Sequence, residues 1–466
     1  MDSRRLKHFL IILLITTTAG CSTSRYEPAR PQRRPLGLEM VVHEAPSEPD
    51  SPGALLPELQ EPVDELSLRD ALVLALRHNP KLAATSWNVR IGEARTRQAG
   101  LLPNPETEMG VAEAAGTGER RALAAAETSI RLSQLVELGD KRAARSRLAA
   151  AEGTLGAWDH EAMRLAVLTN ATLGFIDVLA AQDRLRLAED FLHLSEETFN
   201  VVAERVMAGK VSPLERTKAA IERADAKIEL SRARSNLHAS RQRLAATWGS
   251  TSPHFSLATG ALDRVTEIPP YEAIKTLIQR NPEVARWTEE MEHRLAAIAS
   301  ARAARVPDLT VSAGAQHFSG SGDRAFTFGL SLPIPLFDRN QGGLAEARYR
   351  QAQSSHEKRY SEVQAVTALV ESYEALSAAR TEALGLREEI VPAADQAFEA
   401  ARDGYQQGKF GYLDVLDAQR TFFEAKVGLL DALARYHRAV AIVESLVGTP
   451  LDALSETRKA ETEERP

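Results

Sequence analysis

The feature that most restricts how this chain can fold is that it is written twice. Ala71-Leu-Val-Leu-Ala-Leu-Arg-His-Asn79-Pro80 lies 202 residues ahead of Ala273-Ile-Lys-Thr-Leu-Ile-Gln-Arg-Asn281-Pro282, and the same offset carries Pro105-Glu106 onto Pro307-Asp308. Leu138-Gly-Asp-Lys141 faces Leu336-Phe-Asp-Arg339 at an offset of 198, and Gly209-Lys210 faces Gly408-Lys409 at 199. Matches that stay in order at a nearly constant offset imply an internal duplication, so the body is two halves of about 200 residues. The first half is placed at residues 64–260 and the second at 261–448.

Each half reads as a short helix, a medium helix, two strands, a very long helix, a Gly-containing turn and a return helix. No Pro occurs between Pro105 and Pro213, and residues 141–207 are dominated by Ala, Leu, Arg and Glu. At ~1.5 Å per residue this predicts a rod of roughly 100 Å. Its counterpart, Leu344 to Tyr405, contains Pro392, where a kink is expected. The return segment after the second turn carries a heptad-like stripe of Leu413, Leu416, Phe423, Val427, Leu430 and Ala434, with Arg420 interrupting one seam position. Antiparallel helical hairpins are therefore expected at about 141–247 and 344–447.

The strands differ in period. Phe326, Phe328, Leu330, Leu332 and Ile334 alternate with Thr327, Gly329, Ser331 and Pro333, while Leu309, Val311, Ala313 and Ala315 alternate with Thr310, Ser312, Gly314 and Gln316. Ser319-Gly-Ser-Gly-Asp323 supplies the turn between them. In the first half Ile130, Leu132 and Val136 alternate with polar residues, and Thr107, Met109 and Val111 form the weakest pattern of the four. The predicted strands are about 105–113, 127–137, 307–318 and 324–335. Runs of about ten residues with one apolar face suit transmembrane strands, which must close into a barrel because lipid tolerates no open edge. Four strands cannot close. Two chains would give a bore that side chains fill, whereas three give twelve strands and room for a water channel. The expected fold class is mainly α with a membrane β-barrel, the long hairpins forming a helical tunnel and the twelve strands coming from a homotrimer.

The N-terminus gives the destination. Arg4, Arg5 and Lys7 precede an apolar run from Phe9 to Ile15, too short for an anchor helix at the usual ~20 residues and fitting an export signal. It ends Thr18-Ala19-Gly20-Cys21, and Cys21 is the one cysteine of the chain. Residues 1–20 are accordingly assigned as a signal peptide. Residues 21–63 hold eight prolines, from Pro28 to Pro62, and are expected to form a tether outside the folded body, while 449–466 is a charged tail.

Composition narrows the function. Lys and Arg number 57 against 64 Asp and Glu, a formal charge of -7, so there is no basic excess for a nucleic acid partner. One cysteine cannot form an intrachain disulfide or a thiolate metal site, and the eleven histidines include no tight cluster. G-x-S-x-G, P-loop and H-E-x-x-H motifs are absent from the sequence, so no enzymatic reaction and no cofactor is expected.

Taken together these motifs resemble the TolC-type outer-membrane factor family, over about residues 64–448. The resemblance rests on the duplicated Ala71 to Pro80 motif, Leu101-Leu-Pro-Asn-Pro-Glu106, Ser331-Leu-Pro-Ile-Pro-Leu-Phe-Asp338, and the paired turns Ala208-Gly-Lys-Val-Ser-Pro-Leu-Glu215 and Gln407-Gly-Lys-Phe-Gly-Tyr-Leu-Asp-Val-Leu-Asp417. Ser133-Gln-Leu-Val-Glu-Leu-Gly-Asp-Lys-Arg142 is closest in pattern to the heavy-metal, cobalt-zinc-cadmium branch, although Asp140 replaces a second Gly usual there. The resemblance implies a trimeric outer-membrane exit duct, served by a periplasmic adaptor and an inner-membrane RND-type pump and conducting metal cations passively. It also implies lipidation at Cys21, because Thr18 to Cys21 resembles a lipobox, with sorting to the outer membrane and contact with its lipid.

The resemblance further assigns residues. Asp414 and Asp417 match the constriction, six carboxylates in three chains; Tyr405 and Lys409 match positions that hold the tip shut, with Glu215 placed to accept their contacts. For Asp414 a solvated place at a helix N-terminus, where the helix dipole favours Asp in any case, is weighed equally. Gly209, Lys210, Val211 and Ser212 in the first turn, and Gly408, Lys409, Phe410 and Gly411 in the second, are expected to touch the adaptor. A multidrug efflux or type I secretion duct is the alternative within the family; a periplasmic coiled-coil structural lipoprotein is the remote alternative outside it. Intact-mass spectrometry of the mature protein is expected to show a diacyl or triacyl addition on Cys21. Replacement of Cys21 by Ala is expected to abolish the addition and weaken membrane attachment while leaving helix content unchanged.

Overall fold

The computed structural model describes residues 26–48 and 59–454. Cys21, the signal segment and residues 455–466 of the tail lie outside the described residues. The described residues form two compact units, one built from 26–29, 91–154 and 292–351, the other from 30–48, 59–90, 155–291 and 352–454.

The first unit contains a four-stranded antiparallel sheet in the order β2-β3-β5-β6, with β2 Glu106–Ala112, β3 Glu127–Val136, β5 Leu309–Phe318 and β6 Arg324–Ser331. The central pair is in register from Glu127↔Phe318 to Val136↔Leu309, so the strands of the two repeats meet along their full length. Alternation sorts the side chains by face. Met109, Ile130, Ala315 and Phe326 share one row and Leu132, Ala313 and Phe328 the next, while Ser129, Gln316 and Ala325, with Arg131, Gly314 and Thr327, occupy the other face. Phe326 and Phe328 are 72% and 82% exposed, so the apolar face has no cover among the described residues. β6 stops at Ser331 rather than at residue 335, because Pro333 and Pro335 carry no N–H for a ladder and Leu336 N–H turns back to the Ile334 carbonyl at 2.9 Å.

In the second unit the Asn-Pro motif of each repeat does the same work. Asn79 lies between α1 (Leu68–His78) and α2 (Pro80–Ala99). Its Nδ2 donates to the Thr247 carbonyl at 2.7 Å and its Oδ1 accepts from Leu82 N–H at 2.8 Å. Asn281 Nδ2 donates to the Leu446 carbonyl at 2.9 Å and its Oδ1 accepts from Glu283 N–H at 2.9 Å. One amide thus satisfies an orphan carbonyl at the end of a return helix and an orphan N–H at the start of the next helix.

Long helices follow as the composition dictates. α3 runs Lys141–Met207, 67 residues, and α4 returns as Pro213–Ala246. Part of α3 is apolar and long enough to cross a membrane by composition, but Leu165, Leu168, Phe175, Ile176 and Val178 are spent on two buried clusters. A short helix α5, Tyr271–Lys275, and α6, Pro282–Ala303, open the second repeat. Its long arm is divided: α7 Gln341–Gly385, a π-helical turn Leu386–Ile390, then α8 Val391–Gln406. Pro392 has no N–H for the Glu388 carbonyl and its ring would clash with it; the widened turn, closed by Val391 N–H to the Leu386 carbonyl, relieves both. α9, Tyr412–Val447, completes the hairpin. Its buried face begins at Tyr412, Val415 and Gln419, one position off the expected stripe, and Leu413 is exposed.

Two elements differ from expectation. A two-stranded parallel ladder joins β1 (Glu65–Ser67) to β4 (Leu257–Thr259), which tripeptides carry no periodicity to announce. The Pro-rich segment is not a free tether in residues 30–48. Leu36, Met40 and Val42 pack against Leu76, Leu82, Leu165 and Leu168. The segment turns at Pro35 to Met40, where Leu38 N–H bonds the Pro35 carbonyl and Met40 N–H the Gly37 carbonyl, and its polar backbone is met by the buried pair Glu161 and Arg164. Arg164 donates to Glu161 at 2.7 and 2.8 Å and to the Leu36 carbonyl at 2.8 Å, and Glu161 accepts from Arg34 N–H at 2.9 Å.

At the end of α9, Gly448 adopts φ 71° and Glu444 accepts from Leu451 N–H at 2.8 Å, which holds Leu451 in the core although it belongs to the expected tail. Burial pushes the Glu444 carboxyl up to about 7. The folded chain therefore binds this proton more tightly than the unfolded one, whose carboxyl titrates near 4.5. The resulting stability is full below that value and declines as pH rises to about 7, by at most ~1.4 kcal/mol per pH unit. Thermal unfolding followed by circular dichroism is expected to show a midpoint that falls between pH 5 and 7, and Glu444→Gln is expected to flatten that dependence.

Candidate functional site: the two hairpin turns

Both hairpins of the second unit close with the same hydrogen-bonded turn. In the first, Gly209 takes φ 72°, its N–H bonds the Val206 carbonyl at 3.0 Å, and Lys210 N–H reaches back to the Arg205 carbonyl at 2.9 Å. In the second, Gly408 takes φ 78°, its N–H bonds the Tyr405 carbonyl at 2.9 Å, and Lys409 N–H bonds the Gly404 carbonyl at 2.8 Å. A side chain at either glycine would strain the left-handed residue that this helix ending requires.

The turns differ in how the return helix starts. Ser212 caps α4, its Oγ accepting from Leu214 N–H at 3.2 Å, and Pro213 presets the first helical residue. Gly411 has no side chain to cap α9, so the Asp414 carboxylate reaches back and accepts from Gly411 N–H at 2.8 Å. Phe410 folds onto Gly404, where a Cβ would lie 2.2 Å from the ring. Val211 is half-buried; Gly209, Lys210, Ser212, Gly408, Lys409, Phe410 and Gly411 are exposed.

Behind the turns the two hairpins are joined by an apolar cluster of Val202, Ala219, Phe398, Ala401, Tyr405, Tyr412 and Val415. Tyr405 is its polar centre. Its hydroxyl donates to Glu215 Oε2 at 3.2 Å, its ring meets Tyr412 edge-on at 6.1 Å, and the Arg205 guanidinium lies 4.3 Å over the ring while donating to the Tyr405 carbonyl. Burial, reinforced by the Glu215 charge, pushes the Tyr405 hydroxyl up to about 12, so it stays a donor across the physiological range. Burial and the Glu222 charge push Tyr412 equally to about 12.

Further along, Arg420 donates to Glu222 Oε2 through Nη2 at 2.5 Å and Nε at 3.1 Å, and Gln419 donates to Ser195 Oγ at 3.2 Å with both side chains buried. The structure thus brings Tyr405 and Glu215 together. It does not bring Lys409 to Glu215: the Lys409 side chain makes no ion pair among the described residues. Asp414 is a helix cap, and Asp417, one turn on, is exposed.

Arg205, Glu222 and Arg420 were missed as cross-links. Arg420 stood out only as an interruption of an apolar seam. Its partner stands one residue from the position equivalent in the other repeat, since Glu222 precedes it by 198 residues and the turns repeat at 199. No group of three or more His, Cys, Asp or Glu side chains that could hold a metal occurs among the described residues.

A chain with an open four-stranded sheet, one bare apolar sheet face, and two long hairpins bridged near their turns is built as one stave of a membrane-embedded duct. The outer membrane efflux protein family model matches residues 71–250 and 273–449, one match per repeat, and the chain belongs to this family. It is 33% identical over 418 residues to the cobalt-zinc-cadmium resistance protein CzcC of Cupriavidus metallidurans, covering 89% of this chain and 98% of that one. It is 26% identical over 479 residues to the toluene efflux pump outer membrane protein TtgF of Pseudomonas putida, covering 95% and 96%. The fold matches a crystal structure of CusC with a TM-score of 0.72 at 18% identity, over 85% of this chain and 99% of that one. The protein is an outer-membrane efflux channel, with a helical tunnel on the periplasmic side and strands that contribute to a barrel; channels of this family work as trimers with an adaptor and an inner-membrane pump.

The Glu222 side chain is 7% exposed while that of Arg420 is 51% exposed, so the two halves of this pair are not equivalent. Arg420→Met strands a buried carboxylate and is expected to destabilise by about 3 kcal/mol, whereas Glu222→Gln leaves a solvated guanidinium and costs under ~1.5 kcal/mol. Thermal unfolding midpoints of the two variants, with the Arg420→Met/Glu222→Leu double variant recovering most of the loss, check this asymmetry.

Proposed function

We propose that this chain is the exit duct of a tripartite heavy-metal efflux system, a homotrimer anchored by acylated Cys21 that passively releases divalent cations delivered by an RND-type pump through a periplasmic adaptor. The observation that carries this reading is the full-length similarity to CzcC, at higher identity than the full-length similarity to TtgF. In the duct, Asp414 and Asp417 of three chains supply six carboxylates around one axis at the tip, a ring that attracts cations and is costly in like-charge repulsion. The hydrogen bond from Tyr405 to Glu215 latches the second hairpin to the first in the closed state, and Lys409 offsets part of the acidic repulsion. The adaptor bears on the exposed turns, Gly209 to Ser212 and Gly408 to Gly411. Gly408 and Gly411 make the second turn the more deformable, so the second hairpin is the one that moves.

Deletion of the gene is expected to lower tolerance to cobalt, zinc and cadmium, with recovery on re-expression and unchanged tolerance to toluene. The similarity to TtgF supports the alternative of a hydrocarbon or drug duct, and the reverse pattern of tolerance would select it. In planar bilayers, Asp414→Asn/Asp417→Asn, which keeps the helix cap but removes the charge, is expected to lower cation-over-anion selectivity. Tyr405→Phe/Lys409→Ala is expected to raise single-channel conductance with selectivity largely kept. Unchanged selectivity in the Asn variant would place the constriction elsewhere.

A further inference from the structure

The four helix-linked ends of the strands share an arrangement that neither the barrel nor the gate uses. All lie at one edge of the sheet, where Glu106 pairs with Ser133, Val136 with Leu309 and Thr310 with Ser331. At each end the chain passes through exposed apolar residues before or after its helix: Leu101 and Leu102 ahead of β2, Leu138 after β3, Val306 ahead of β5, and Leu336 with Phe337 after β6. Phe337 is 88% exposed. On the helix side of every one of these apolar steps stands arginine.

Arg97 precedes Leu101, Arg142 follows Leu138, Arg305 adjoins Val306, and Arg339 follows Phe337. Arg95 and Arg302 add a second charge to two of the junctions. None of these six guanidinium groups makes an ion pair or hydrogen bond among the described residues; Arg142 is half-buried and the others are exposed. Neighbouring cations are paired, as Lys141 is to Asp308 at 2.7 Å and Arg145 to Glu137 at 2.6 Å. Among the described residues Arg121 and Arg324 at the other end of the sheet also make no side-chain ion pair, so what distinguishes the junction set is its place beside exposed apolar residues at the helix-linked end.

Helix electrostatics account for half of the pattern. Arg97 and Arg302 lie in the last turns of α2 and α6, Arg95 just before and Arg305 just beyond, where a cation is favoured by the helix dipole. Arg142 is the second residue of α3 and Arg339 lies two residues before α7, at the helix ends where the dipole disfavours a cation. What the four positions have in common is depth: each lies one short apolar step beyond the sheet edge, on the helix side. In this family the helices are periplasmic, so that edge faces the headgroup layer of the inner leaflet. Arginine there can extend its apolar stem along the membrane surface and present a planar fork to phosphate.

We propose that the junction arginines form a collar that seats the phosphate groups of anionic glycerophospholipids in the inner leaflet of the outer membrane. The lipid acyl chains lie against the exposed apolar residues of the same junctions, continuous with the apolar face of the strands. In a trimer the four junctions become twelve, a closed ring of headgroup sites at the base of the barrel. The collar fixes the depth at which the duct rides and resists tilting when a partner pulls on the hairpins.

The test uses the full-length acylated trimer reconstituted in nanodiscs of equal phosphatidylglycerol and phosphatidylcholine, with the lipids that remain bound after detergent extraction counted by mass spectrometry. The wild type is expected to retain phosphatidylglycerol over phosphatidylcholine by about fivefold or more at low salt, the preference falling as salt is raised. Arg97→Gln/Arg142→Gln/Arg305→Gln/Arg339→Gln is expected to bring the ratio near one, and the corresponding Lys variant to keep most of it. Equal retention of the two lipids by the wild type overturns the proposal. So does an undiminished preference in a Gln variant that still forms trimers with native strand content. Should the Gln variant not assemble, the wild-type ratio and its salt dependence decide alone. No outcome depends on what the duct exports.

Discussion

The constraint on which the rest of this structure depends is that a peptide group in lipid must find its hydrogen bond within protein. The four strands satisfy one another across β2-β3-β5-β6 and leave the outer edges of β2 and β6 unpaired among the described residues. In water such edges are blunted by charge, proline or short length; in a bilayer they must be joined to further strands. Closure by other copies of the same chain removes both edges at once, which is why the family's trimer is a consequence of backbone chemistry and not an addition to a finished monomer. The face rule follows. Phe326, Phe328 and Leu330 project on the side that meets lipid, while small and polar residues such as Ser129, Thr327 and Gly329 occupy the side that lines the bore.

Duplication supplies the second layer of order. A strand pair and a helical hairpin repeated once give a sheet in which β3 and β5, one from each half, form the longest ladder. In the helical unit Asn79 and Asn281 bind the carbonyls of Thr247 and Leu446, which lie 199 residues apart, so each repeat ties its own return helix to its own start. Proline after each Asn removes an N–H that would have competed for the same acceptors and sets the first helical residue. The economy of the motif explains why so short a string of residues is decisive in reading the sequence.

Much of the fold was legible because period and composition are local properties. The 67 residues of α3 contain no proline, the strands alternate strictly, and the Gly-Lys turns repeat. What escaped was long-range. β1 and β4 are three residues each and pair across nearly 200 residues, so no pattern within either predicts the partner. The segment from Arg30 to Glu48 reads as a tether by its prolines, and it becomes a fastened strap through the buried Glu161 and Arg164, more than 120 residues away, and through apolar packing of Leu36, Met40 and Val42. The turn residues show the same division. Tyr405 and Glu215 were legible through resemblance, whereas Arg205 and the Glu222–Arg420 pair needed the three-dimensional approach of two hairpins to acquire meaning.

Asp414 shows how a structural role and the proposed functional one can share a side chain. Its carboxylate is held at the start of α9 by Gly411 N–H, a cap made necessary because the residue before the helix is a glycine. Glycine in that place leaves the turn free to bend, and the Asp at the third helical position restores the stability that the missing cap would cost. The same bond fixes the position of the charge. While α9 keeps its first turn, a rotamer change that swings the Asp414 carboxylate away gives up this cap bond, and Asp417 follows one turn behind on the same helix. On the proposed reading, an acidic ring built in this way widens or narrows only by displacement of whole hairpins. The contacts that resist such displacement are those between the hairpins: Tyr405 with Glu215, Arg205 with the Tyr405 carbonyl, and Arg420 with Glu222. The charge that selects and the bonds that restrain are therefore carried by different residues, which is why neutralising Asp414 and Asp417 and releasing Tyr405 should produce separable effects on selectivity and conductance.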